Sequence, residues 1–295
     1  MMTVDPWNFE YSGHLFRSKW FIRKPLPYDY CGLPTLLVMI SARQVFRKMR
    51  GGSQSWLMQC DDNHFYVVKA SNNPQGRRTL VNDYLGSKLL RLIEVNTAEC
   101  TPIVIPEQLI GEQGLHSLYG EKAGCLDTGP HFGSRVPVNP ERQAIFDFLP
   151  HRLLPRITNL SDFFATFIFD QWASNIDPRQ AVFYRARGSV DFVATMIDNG
   201  RIFCGHRWCL KDLPIREDFW DEAYRVGASQ QTLDRTIHLI SCITEDTIAT
   251  ILREIPALWL AGDMEELLRL VDSLFQRRRS LRALVEQHVA RWIDT

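Results

Sequence analysis

Phe167-Ile168-Phe169-Asp170-Gln171-Trp172-Ala173-Ser174-Asn175-Ile176-Asp177-Pro178-Arg179-Gln180, followed by Ile197-Asp198-Asn199-Gly200, is the stretch on which the fold turns. Apolar side chains recur at helical spacing from Phe163 to Trp172, which predicts a helix. The polar run Ser174, Asn175, Asp177 and then Pro178 ends that helix in a loop. Ala181–Tyr184 and Val193–Ile197 are rich in β-branched and aromatic residues around the Arg187-Gly188 turn, so they read as a hairpin. One aspartate, Asp177, therefore leaves a helix in a loop, and a second, Asp198, leaves a hairpin in an Asp-x-Gly turn.

Working outward, the chain upstream is strand-like from Ile40. Val45 and Phe46 lead to Arg50-Gly51-Gly52-Ser53-Gln54-Ser55, Trp56-Leu57-Met58 resumes the apolar pattern, Asp61-Asp62-Asn63 turns, and Phe65–Lys69 forms a third strand. This is an antiparallel meander. After Asn72–Gly76 breaks the chain, Leu80, Tyr84, Leu85, Lys88, Leu89 and Leu92 predict a helix from about Thr79 to Ile93. Ile103–Ile105 is a further short strand. Residues 111–145, including His131-Phe132-Gly133-Ser134-Arg135, are Gly-rich and aperiodic and read as a connection between two lobes. Beyond them the texture is mainly helical, with amphipathic stretches at 216–226, 244–255 and 264–292. Residues 1–38, with Trp7, Trp20, Pro25, Pro27 and Pro34, read as an irregular extension. Either Met39 is the natural start or the segment is an arm that packs through its aromatics.

Composition narrows the class. Lysine plus arginine equals aspartate plus glutamate, 34 each, so nothing favours broad attraction to nucleic acid or a membrane surface. Seven scattered cysteines predict free thiols and a cytoplasmic setting. Cys204, His206 and Cys209 lack the second ligand pair of a structural zinc site. The amino terminus has no opening apolar run, and the longest such run, Leu33 to Ile40, is too short to span a bilayer. Trp172 reads as core, and Arg277–Arg279 as a solvated charged helix face.

The chemistry sits in two constellations. In the meander, Gly51, Gly52 and Ser53 let backbone N–H groups approach phosphate oxygens, although a Gly-Gly pair also serves ordinary hairpin turns. Lys69 ends an apolar strand, where an ammonium belongs only if it faces a cleft, and Asp83 lies one turn into the following helix. In the second constellation, Asp177 is placed to orient an acceptor hydroxyl and take its proton, while Asp198 is placed to hold Mg²⁺ against phosphates. This order of parts is that of a phosphoryl-transfer site.

Arg47–Ser55, Tyr66–Ala70, Asn72–Gln75, Leu80–Gly86, the run Asp170-x-Trp172-x-x-Asn175-x-Asp177-x-Arg179-Gln180-Ala181-Val182-Phe183 and Ile197–Gly200 together resemble the HipA-like kinase domain. The resemblance implies an α+β, bilobal, protein-kinase-like fold. Residues 39–135 would form an antiparallel-sheet N-lobe and residues 136–295 a mainly helical C-lobe. It is the compact form, without the extra amino-terminal domain of HipA toxins. It implies ATP and Mg²⁺ as cofactors and a Ser or Thr hydroxyl, on a protein of unspecified identity, as acceptor. Nucleic acid and membrane are not expected as partners, and the oligomeric state stays open. By the same resemblance Gly51, Gly52, Ser53, Lys69 and Asp83 bind nucleotide. Asp177 is the base, positioned by Asn175 and acting with Lys69, and Asp198 with Gln180 holds the metal. Three positions depart from the pattern. Asp83 stands where glutamate is usual, Val182 stands where a second metal ligand is expected, and Asn199 replaces Phe in the Asp-Phe-Gly turn. A nucleotide-binding pseudokinase that regulates a partner, and transfer of AMP instead of phosphate, remain open alternatives.

Overall fold

A computed structural model of the chain describes residues 39–50, 52–112, 115–119, 122–126, 129–185, 188–214 and 220–293; the expected extension 1–38 and Gly51 lie outside them. The described residues all belong to one compact unit, Val38–Thr295.

Strands β1 (Ile40–Lys48), β2 (Trp56–Cys60) and β3 (Phe65–Lys69) form the expected meander, with Val45 opposite Met58 and Met58 opposite Tyr66. At the β2–β3 turn, Asp62 accepts hydrogen bonds from the His64 N–H at 3.0 Å and the Tyr66 hydroxyl at 2.7 Å. Helix α1 (Arg77–Leu92) follows, then β4 (Cys100–Val104), α2 (Glu107–Glu112), a separate ribbon of β5 (His116–Tyr119) and β6 (Lys122–Cys125), and β7 (His131–Arg135).

Here the structure corrects two expectations. The amino-terminal sheet is not a purely antiparallel open sheet. Its order is β1-β2-β3-β7-β4, and it closes into a barrel because β1 pairs parallel with β4 at Ile40–Ile103 and Ser41–Val104. Closure gives both edge strands hydrogen-bonding partners. Second, the stretch 111–145 is not merely a connection, since β7 inserts between β3 and β4. It escaped the periodicity test because it is short and centred on Gly133. A Cβ on Gly133 would stand 2.4 Å from Ile103 Cγ1, so the strand reaches its neighbour only without a side chain there. Met58, Cys60, Tyr66, Val68, Ile103 and Ile105 fill one continuous buried cluster around the barrel.

The carboxy-terminal half is built on α3 (Ser161–Ala173), whose Phe163, Phe164, Ile168, Phe169 and Trp172 are all buried. A helix apolar all round belongs in a core. The hairpin β8 (Gln180–Arg185) and β9 (Phe192–Ile197) follows, in the register Gln180–Ile197 to Arg185–Phe192. Around α3 lie α4 (Asp221–Gly227), α5 (Gln230–Cys242), α8 (Met264–Arg277) and α9 (Leu281–Ile293), whereas α6 (Glu245–Arg253) and α7 (Ala257–Leu260) pack against α1. The single amphipathic stretch 264–292 is thus two helices, broken over residues 278–280. Arg277 is not a solvated charge: its guanidinium is largely buried, donates to the carbonyls of Gln171 and Lys211, and pairs with Asp212 at 2.7 Å. No helix among the described residues is long and apolar enough to cross a membrane.

Candidate active site

A cavity of about 640 Å³ opens between the barrel and the β8–β9 hairpin. Gly52, Ser53, Lys69, Asp83, Asp177, Gln180, Val182 and Asp198 all line it, together with Phe132 of β7 and Val136 just after it. Elements far apart in sequence thus bring every described nucleotide-binding, metal and base candidate to one cavity, apart from Asn175, which lies just behind Asp177.

Lys69 is the electrostatic centre. β3 delivers it straight from the barrel core, and it is only 7% exposed. Its Nζ lies 2.8 Å from Asp83 Oδ2 on α1 and 2.9 Å from Asp198 Oδ1 beyond β9. The shorter arm of aspartate at 83 therefore closes on the lysine without a gap. Burial by itself would strip the proton from Lys69, but the two carboxylates more than offset it and raise its pKa. Asp83 is pushed up to about 6, chiefly by burial and further by the charge of Asp198, against the opposing pull of Lys69. Burial also works against the charge on Asp198, yet Lys69 and the Gly200 N–H hold its carboxyl below the usual range.

The Asp198 turn is held from behind. Asp198 itself is left-handed, φ 59°, a conformation that costs a non-glycine residue and persists when neighbours fix it. The Asn199 N–H donates to Asp83 Oδ1 at 2.9 Å, and its amide donates to Ser87 Oγ at 3.1 Å. Arg179 is fully buried and bridges two loops: it donates to both oxygens of Asp170 at the end of α3 and to Asn199 Oδ1 at 2.7 Å. Asn82, beside Asp83, donates to the carbonyls of Gly200, Ile202 and Gly205 at 3.0–3.1 Å and accepts from Trp208 Nε1 at 2.8 Å. Asp170, Arg179, Asn82 and Asn199 were all present in the motifs quoted above. Residue type and spacing gave them no role, because their partners are backbone groups and side chains that only the fold brings near.

The side facing Asp177 is more open. The Asp177 side chain is 47% exposed, its backbone N–H donates to Asn175 Oδ1 at 3.2 Å, and Arg201 Nε stands 3.9 Å from Asp177 Oδ1. Gln180 Nε2 donates to Asp198 Oδ2 at 3.2 Å, and Val182, half-buried, contributes only hydrocarbon to the cavity.

The geometry now stands beside its relatives. The family model described as HipA-like kinase matches residues 42–183, a span that holds Lys69, Asp83 and Asp177. Over that span the chain is similar to the HipA-like kinase family. Among solved structures it overlaps the Golgi casein kinase at 13% identity and TM-score 0.47, covering 86% of this chain and 75% of that one. The same kinase with Mn/ADP bound overlaps at 11% identity and TM-score 0.46, covering 87% and 74%. A Helicobacter pylori proinflammatory kinase, CtkA, overlaps at 13% identity and TM-score 0.38, covering 82% and 99%. No curated protein sequence matches the chain.

Proposed function

We propose that the chain transfers the γ-phosphate of ATP, with Mg²⁺, to a Ser or Thr hydroxyl on a protein, in a cytoplasmic setting. The observation that carries the reading is Lys69 held between Asp83 and Asp198 in a cavity that Asp177 also lines. Residues 39–135 act as the nucleotide-gripping lobe and residues 136–295 as the catalytic one. Gly51, Gly52 and Ser53 cover the phosphates, Lys69 contacts them, and Asp83 keeps the ammonium aimed. Asp177, positioned by Asn175, takes the proton of the acceptor hydroxyl as its oxygen bonds to the γ-phosphorus. The bond to the β–γ bridging oxygen breaks, and that oxygen leaves with ADP.

The residues present fit a hard divalent ion. Mg²⁺ uses one or two carboxylates plus substrate phosphates and water, in preference to an all-protein cage. Asp198 would hold the ion, and Gln180 adds an oxygen when its amide rotates away from the present N–H donation to Asp198. When bound, the metal neutralises charge on the β- and γ-phosphates. One observation favours a second reading, a nucleotide-binding pseudokinase: Val182 supplies no second metal ligand at the family position.

Isothermal titration of ATP at several Mg²⁺ concentrations tests the proposal. Asp198→Asn should remove the Mg²⁺ dependence of ATP binding, and Gln180→Ala should weaken it less, since a neutral amide offers the ion less than a carboxylate. Retention of wild-type Mg²⁺-linked affinity in Asp198→Asn would sink the metal assignment. Mg²⁺-linked binding without phosphate transfer would select the pseudokinase.

A further inference from the structure

The turn that carries Asp198 runs into a segment, residues 199–211, that contains Arg201, His206, Arg207 and Lys211 and no acidic residue. This segment is fastened to the loop that carries Asp177. The Ile176 N–H donates to the Arg201 carbonyl at 3.2 Å, the Phe203 and Cys204 N–H groups donate to the carbonyls of Ala173 and Ser174, and the Ser174 hydroxyl bonds to both backbone groups of Lys211. The backbone that carries the basic residues is therefore fixed to the loop of the base candidate. Arg201 is 3.9 Å from Asp177, while His206, Arg207 and Lys211 are exposed. Among the described residues, neither Arg207 nor Lys211 has a carboxylate within ion-pairing distance, whereas neighbouring Asp212 and Asp263 are matched to Arg277 and Arg78. Fixed, unmatched like charge on an exposed rim selects partners of opposite sign.

We propose that the acceptor is an acidic segment, a Ser or Thr flanked by Asp or Glu carboxylates that lie against Arg207 and Lys211. The inference rests on the transfer reading above for the hydroxyl, but the charge preference stands by itself as a binding property. An extended peptide advances about 3.3 Å per residue, so carboxylates a few residues from the hydroxyl reach past Asp177 to this rim. A peptide is favoured over a polynucleotide because the basic segment is bonded to the loop of the proton-accepting carboxylate, while the whole chain is neutral.

The test uses the full chain with three labelled peptides, each with one serine flanked by glutamates, alanines or lysines. Binding is read by fluorescence anisotropy and phosphate transfer by radiolabel. The glutamate peptide should bind about tenfold tighter than the lysine peptide, the sum of a few exposed pairs, and added salt should shrink the gap. The Arg207→Glu/Lys211→Glu variant, with melting and ATP affinity unchanged, should lose or reverse the preference. Equal binding of the three peptides, or a preference that survives the double variant, overturns the inference. So does a single-stranded oligonucleotide that binds tighter than the glutamate peptide and displaces it. Preferential binding without transfer would sink the transfer reading alone, and transfer without charge preference would sink this inference alone.

Discussion

The two sides of the cavity are built on opposite terms. Around Lys69, two charges are buried and the third, Asp198, is partly so; each is met by several partners, and together they tie a strand, a helix and a turn. Around Asp177, the carboxylate is half-exposed with one long contact to Arg201, and only the residue's backbone N–H bonds within its own loop. Buried charge with its partners fixed gives a site pre-formed for one ligand, whereas an exposed carboxylate can meet an acceptor that arrives from solution. Structural and chemical importance should therefore separate between the two sides.

The largest break in stability should come from Lys69→Met, which leaves the buried Asp83 and the partly exposed Asp198 without their shared cation. Removing one partner of a buried ion pair costs about 3–5 kcal/mol, read as a lower midpoint in urea unfolding. A loss under about 1 kcal/mol would mean that the cluster is not buried charge in the sense used here.

A smaller effect sharpens the same side. The pKa of Asp83 is raised from 3.8 to about 6. Between those values the folded chain holds a proton there that the unfolded chain has released. Its contribution to stability is therefore full below about pH 4 and declines as pH rises through about 6. Asp83→Asn has no such group, so the wild-type melting temperature minus that of the variant should fall across this window and level off above it. A flat or rising difference contradicts the assignment.

The smallest stability effect should be at the open side. Asp177→Ala should unfold within about 0.5 kcal/mol of wild type and bind ATP within a few fold, yet lose phosphate transfer by about 10²–10⁴-fold. Near wild-type turnover in that variant would show that the base is elsewhere.

Sequence reasoning reached these two sides unequally. Lys69, Asp177 and Asp198 stood out because each ends or follows an apolar element, and Asp83 because it lies one turn into the helix after the Lys69 strand. The hairpin after Asp177 was legible from its β-branched runs. Barrel closure was not, because β1 and β4 meet through two residue pairs from distant segments, and β7 carries too few side chains to show a period. Helix α5 was passed over, although Leu233, Thr236 and Ile240 mark its buried face. The roles of Arg179 and Arg277 were hidden for another reason. An arginine that spans loops to reach a carboxylate or carbonyls has the same local signature as one in solvent.

The grip of Asn82 and the contact at Gly86 have a mechanical consequence. A Cβ on Gly86 would lie 2.6 Å from Asn199 Cβ, so α1 rides directly on the Asp198 turn, and a single amide one helical turn earlier bonds four groups beyond it. The helix and the turn thus form one welded piece. Swinging the helix outward to disarm Lys69 would have to tear that weld, so any on–off control in this molecule has to leave helix and turn moving together.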